Sequence, residues 1–140
     1  MSILVDTGAW YALADTADRH HLEARRFYTQ RIPRDTLVTT DLIIAETWSL
    51  LHAHLGRRQA LEFWGALRDT QIAILNALAV DVEAAWRIIQ AFPDQTFSFV
   101  DCATFAIMER VGIRDAFAFD SHFLVYRYGP DRQRALRRCP

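Results

Sequence analysis

Four carboxylates, Asp6, Glu46, Asp101 and Asp120, stand where a globular chain has little structural use for an unpaired charge. Asp101 lies near the start of an apolar helical stretch, and Asp120 just past a short apolar run that reads as a buried strand. Asp6 ends the opening run Ser2-Ile3-Leu4-Val5, and Glu46 falls one turn into a long helix, on or beside its apolar face. Each has a bland explanation. Asp6 suits an N-cap, Glu46 a helix dipole, and Ser98 with Asp101 has the spacing of a capping box. Brought together, though, four carboxylates would repel one another in a cleft unless a cation compensated. An all-oxygen donor set without a cysteine or histidine cluster favours Mg2+ or Mn2+ over zinc. A metal of that kind activates water and neutralises phosphate oxygens, so phosphodiester hydrolysis is the reaction these residues imply.

The elements that must position them follow from periodicity and breakers. Strands are expected at Ser2–Val5, Thr36–Thr39, Gln71–Leu75 and Ala116–Phe119. Helices are expected from Thr7 to Ala14, Arg19 to Arg31, Leu42 to Leu55, from after the Gly56-Arg57-Arg58 break to Leu67, Asp81 to Phe92 and Phe99 to Val111, with Ser121–Val125 as a short one. Strands alternating with helices imply a parallel sheet covered on both faces, an α/β fold whose sites form outside the C-terminal strand ends. All four acids can reach that edge. Residues 1–125 read as the domain proper and 126–140 as a basic C-terminal extension, either part of the same domain or partly mobile, with helical character where it is ordered.

The chain has 140 residues, enough for one domain with a real core, and a formal charge of -1 that makes bulk attraction to nucleic acid weak. All 16 of its lysine-plus-arginine residues are arginines. Arg110 and Arg114, which follow the helix bearing Asp101, are the candidate phosphate contacts, with Arg57, Arg58 and the arginine-rich C-terminal stretch as further positive charge. Ser121 and His122 are expected to support the loop that carries Asp120. His20 and His21 lack a ligand-like partner at helical spacing. Two cysteines without metal or disulfide spacing suit a reducing compartment, and neither a leader nor a membrane span is evident, which points to the cytoplasm.

In order and spacing, Ile-Leu-Val-Asp-Thr around Asp6, Leu-Ile-Ile-Ala-Glu-Thr around Glu46, Phe-Ser-Phe-Val-Asp-Cys-Ala around Asp101 and Phe-Asp-Ser-His-Phe around Asp120 resemble the PIN-domain ribonucleases, and among them the toxins of VapBC toxin-antitoxin pairs. The resemblance implies an α/β/α sandwich with a central parallel sheet. It also implies that Asp6, Glu46, Asp101 and Asp120 surround Mg2+ or Mn2+, with Thr7 helping beside Asp6 and the His122-Phe123 pair supporting the last loop. A homodimer, a structured RNA substrate and a cognate antitoxin that masks the acids are implied as well. A stand-alone PIN nuclease in RNA processing and a non-catalytic RNA-binding module are the alternatives. A phosphatase or receiver domain is disfavoured, since the chain lacks an Asp-x-Asp pattern and a catalytic lysine.

Overall fold

A computed structural model describes residues 1–140. Five strands form one parallel sheet in the order β3 (Ala73–Leu75), β2 (Thr36–Thr40), β1 (Ser2–Val5), β4 (Asp115–Phe117) and β7 (Arg137–Cys139). Ile3, Leu4 and Val5 are wholly buried, as a central parallel strand requires when helices cover both faces. The helices are α1 (Thr7–Ala14), α2 (His21–Arg31), α3 (Asp41–Leu55), α4 (Arg57–Asp69), α5 (Ala79–Ala91), α6 (Phe99–Val111) and the single turn α7 (His122–Val125). The result is the expected α/β/α sandwich.

Helix α6 is the core helix. Its residues from Asp101 to Met108 are all buried, and Gly112 ends it with φ of +78°, a left-handed cap that glycine adopts without steric cost. Phe105 stacks on Tyr126 at 4.4 Å and meets Phe97 and Phe123 edge-on at 5.1 and 5.3 Å. Truncating such a ring to alanine costs about 3–5 kcal/mol. This aromatic packing fixes α6 against α7 and so sets Asp101 beside the Asp120 loop.

Several boundaries differ from the sequence expectation. Helix α2 starts at His21 rather than Arg19, and α5 at Ala79 rather than Asp81. Strand β4 stops at Phe117, so Phe119 lies in the loop with Asp120. The C-terminal stretch is strand, not helix. Arg127–Tyr128 (β5) pairs antiparallel with Arg134–Ala135 (β6), and β7 joins the main sheet beside β4. The Ala118 amide donates to the Cys139 carbonyl at 3.0 Å, which extends that pairing toward Asp120. Arginines in this stretch hid a β-edge: their stems pack while the charges find acceptors. No helix is long and apolar enough to cross a membrane.

Candidate active site

Asp6 follows β1 directly. Its amide donates to the Phe117 carbonyl at 3.0 Å, so the backbone is pinned between the two central strands. It occupies the N-cap position of α1, yet its side chain caps nothing, and it is 3 % exposed. The bland reading of Asp6 therefore fails on geometry. Burial pushes its carboxyl well above the usual range, and the charges of Asp120, Asp101 and Glu46 push the same way against the Thr7 amide. The mutual influence places all four acids at one edge.

Asp101 does form the capping box, and it does more. The Ser98 amide donates to Asp101 Oδ2 at 2.9 Å, and the Asp101 amide donates to Ser98 Oγ at 3.0 Å. That bracing fixes the carboxylate at the mouth of α6 while His122 Nδ1 lies 2.7 Å from the same Oδ2. That is ion-pair distance, although the buried ring nitrogen makes no hydrogen bond. The His122 amide donates to Asp120 Oδ1 at 2.9 Å, a short turn that orients Asp120. Burial raises the Asp120 carboxyl; the His122 amide opposes that rise and the Asp101 charge adds to it. Donor atoms of Asp101, Asp120 and His122 all lie within 4.8 Å of one another. Glu46 enters from α3, whose start is secured by the Ile43 amide donating to Thr40 Oγ1 at 3.0 Å.

These side chains line one open cleft of about 440 Å³, which takes in Asp6, Thr7, Glu46, Asp101 and Asp120. Thr7 Oγ1 is buried without a hydrogen-bond partner. An orphaned hydroxyl beside four carboxylates, two of them held above their ordinary range, fits a divalent cation held mainly by oxygen. His122 adds a nitrogen to the donor atoms that cluster most tightly, which the spacing of the acids did not reveal.

Ser121 serves through its backbone. Its carbonyl accepts from the Leu124 and Val125 amides at 3.0 and 3.2 Å and so closes α7. The two arginines expected to meet phosphate stand elsewhere. Arg110 grips Asp81 through two bonds of 2.8 and 2.9 Å, which ties α6 to α5, and it does not line the acidic cleft. Arg114 lines a separate hollow with Met1 and Arg137. Arg19 is the arginine at the cleft, next to His20, whose ring stacks on Phe119 at 4.3 Å. No sequence signal marked Arg19; its place depends on how α1 hands over to α2. Arg138, expected only as one charge of the basic C-terminal extension, has a definite place as well. From β7 its Nη1 donates to the Phe119 and Asp120 carbonyls, both at 3.1 Å, and steadies the loop that carries Asp120.

The model of the PIN domain matches residues 3–127. The chain is 33 % identical over 121 residues to the 23S rRNA-specific endonuclease VapC20 of Mycobacterium tuberculosis, covering 86 % of this chain and 91 % of that one. It is 25 % identical over 126 residues to ribonuclease VapC26 of the same species, covering 89 % and 92 %. The crystal structure of VapC20, described as a sarcin-ricin loop cleaving toxin, superposes with a TM-score of 0.80 at 32 % identity over 85 % of this chain and 90 % of that one. VapBC2 from Rickettsia felis, bound to a promoter DNA fragment, shares the fold alone, at TM-score 0.55 and 8 % identity over 86 % of this chain and all of that one. With the acids gathered at the strand ends and the match running nearly the full length, the chain belongs to the PIN-domain family and is related to its VapC toxins.

Proposed function

We propose that the protein is a divalent-metal-dependent endoribonuclease that hydrolyses RNA phosphodiester bonds, and that it acts as the toxin of a type II toxin-antitoxin pair. The observation that carries this is the cleft itself: Asp6, Glu46, Asp101 and Asp120 share it, with Asp6 buried and the Thr7 hydroxyl unpartnered. Those four acids would hold Mg2+ or Mn2+. Such a cation, when bound, supplies Lewis-acid neutralisation of the scissile phosphate and makes a nearby water more acidic.

The chain's own groups do the positioning. The capping box holds Asp101 in a single rotamer, and the His122 amide holds Asp120. Thr7 Oγ1 is free to donate or accept at the floor of the cleft, and Arg19 offers a guanidinium to phosphate at its rim. The Ser121 turn and the His122 ring support the Asp120 loop. We read residues 126–140 as part of this same domain, since β7 and Arg138 complete it. The relatives named as RNA-cleaving enzymes, one of them a toxin, support a structured RNA substrate, and we carry a cognate antitoxin, a homodimer and a cytoplasmic location as further parts of the same proposal.

Incubation of the purified protein with RNA and magnesium should give discrete cleavage that Asp6→Asn or Asp101→Asn abolishes while the circular dichroism spectrum is retained. Full activity in both variants would sink the assignment. Expression should arrest growth, and a small neighbouring antitoxin should rescue it. Cleavage without arrest would make the protein a stand-alone PIN nuclease.

A further inference from the structure

A second groove is larger than the acidic cleft. It has a volume of about 540 Å³, lies between α5, α6 and the β5–β6 turn, and is lined by Arg87, Arg110, Arg127 and Arg132 together with Asp81 and Glu109. Its charges do not cancel. Arg110 offsets Asp81, and Glu109, which accepts a bond from the Tyr126 hydroxyl at 3.2 Å, keeps its own charge, so two guanidinium charges remain in excess. Arg127 is held through one nitrogen by the Leu124 and Tyr126 carbonyls, at 2.7 and 2.9 Å, which fixes the guanidinium without neutralising it. Arg132 rests over the Phe92 ring at 5.5 Å and carries a φ of +54°, a left-handed backbone that a non-glycine residue adopts only when its surroundings hold it there. No carboxylate lies within 4 Å of Arg87, Arg127 or Arg132. Three guanidinium groups thus face one groove, two of them oriented, and none paired with an acid.

The groove is close to the acids. One turn of helix, α7, separates Asp120 from Tyr126, and three successive contacts of 5.3, 5.5 and 5.5 Å link His122 to Phe97, Phe97 to Phe92 and Phe92 to Arg132. A single nucleic-acid strand spans that gap in a few nucleotides. It also needs an anchor of this kind, because four carboxylates repel a polyanion everywhere except at a bound cation, and the net charge of -1 gives no general attraction.

We propose that this groove is a cation-independent anchor for the RNA backbone flanking the scissile phosphate, with Arg87 and Arg132 as its phosphate contacts and Arg127 as a fixed third charge. The anchor deepens the ribonuclease reading and rests on it. An acidic protein segment is the lesser fit, since it would run on into the four carboxylates with nothing to offset them.

The test compares wild type with the Arg87→Ala/Arg132→Ala double variant, whose replaced side chains are both exposed. The probe is a fluorescent 20-nucleotide polyuridine, read by anisotropy across a salt series without divalent metal. The variant should bind roughly tenfold more weakly, with a salt slope shallower by about 1.4 for two lost contacts on a single strand. Equal affinity and equal slope overturn the anchor. So does hexaglutamate binding that the double substitution abolishes while polyuridine binding is unchanged, for then the groove serves an acidic protein segment. In the cleavage arm, KM for a long RNA should rise in the variant while an RNA trimmed to one nucleotide either side of its cleavage position, too short to reach the groove, is cut as before. Equal losses on both lengths overturn the anchor. Wild type that binds polyuridine through the groove and never cleaves RNA sinks the ribonuclease reading and leaves the anchor standing.

Discussion

Replacement of Arg110 by alanine separates a structural arginine from a substrate contact. Asp81 is 1 % exposed and accepts two bonds from Arg110, at 2.8 and 2.9 Å, and one from the Leu78 amide at 2.8 Å at the start of α5. The Arg110 bonds hold the Asp81 carboxyl below its ordinary range, against the upward pull of burial, with the Leu78 amide and the Arg110 charge adding to the depression. Arg110→Ala leaves a buried carboxylate with one amide donor. Breaking a buried pair costs about 3–5 kcal/mol, but Arg110 is 35 % exposed and water enters where its guanidinium lay, so about 2–3 kcal/mol is the working figure. In a chain of this size that lowers Tm by roughly 6–12 °C.

The pH dependence has a definite sign. Asp81 has a folded pKa below its unfolded value, so its contribution is complete above the unfolded value of about 4 and is lost as pH falls through the folded one. The Tm gap between wild type and Arg110→Ala should therefore be widest near neutrality and close in acid, where Asp81 is protonated in both proteins. Thermal unfolding followed by circular dichroism between pH 3 and 7 measures it, and RNA cleavage assayed well below both transitions should be little changed. Equal Tm values at pH 7, or a gap that persists undiminished in acid, would refute the structural role. Loss of cleavage at unchanged stability would make Arg110 a phosphate contact after all.

Arg138→Ala removes both bonds that steady the Phe119 and Asp120 carbonyls, and kcat should fall about tenfold with KM little altered, while Arg138→Lys recovers part of the loss through one of the two bonds. Unchanged kcat in the alanine variant would show that the loop holds its shape without β7. The raised Asp6 and Asp120 carboxyls make a second pH prediction, opposite in sign to that for Asp81. A folded pKa above the unfolded one destabilises the metal-free protein as pH rises past the unfolded value, and a divalent cation, which competes with those protons, relieves it. The Tm increment on adding magnesium should accordingly grow as pH rises, and an increment that is constant or shrinks with pH would place the cation away from these acids.

The architecture was legible because its strands and helices carry their own punctuation. β1 is a run of aliphatic residues ended by an acid, α6 is opened by Ser98 and closed by Gly112, and α3 is capped by Thr40, so helix and strand ends could be placed to within a residue or two. The gathering of Asp6, Glu46, Asp101 and Asp120 at one edge followed from the topology of a parallel sheet. What was not legible depends on contacts between residues distant in sequence. Asp81 lies 29 positions from Arg110, and nothing near either residue shows that they meet. The β7 strand is rich in arginine and short, so period and propensity both miss it; its order comes from pairing with β4, and Arg137 is satisfied by Asp115 across that pair at 2.8 Å. The place of His122 beside Asp101 is of the same kind, since the ring arrives through packing against Phe97.

Local satisfaction elsewhere at the strand ends is what gives the exceptions their meaning. The Trp10 indole N–H donates to Thr39 Oγ1, Thr39 Oγ1 donates to the Val5 carbonyl, and Thr40 Oγ1 accepts from the Ile43 amide, each within about 3.1 Å. Each of these groups serves only the fold, and each has found a partner. Asp6 sits at an N-cap and caps nothing, and Thr7 Oγ1 beside it is buried and unpaired. A sequence free to choose stability would replace that aspartate with one whose side chain caps α1, or with an apolar residue suited to a site 3 % exposed. Burial and like charge both disfavour the ionised Asp6, no cation of the chain pairs with it, and its hydrogen-bonded neighbour Asp120 is another acid, so the pair holds a proton unless a cation from outside the chain takes its place. A bound divalent cation offsets all of these costs in one step. The unpartnered Thr7 hydroxyl and the raised Asp6 and Asp120 carboxyls beside it are therefore better evidence of a metal cleft than the mere presence of four acids, for acids at strand ends are common and such crowding is not.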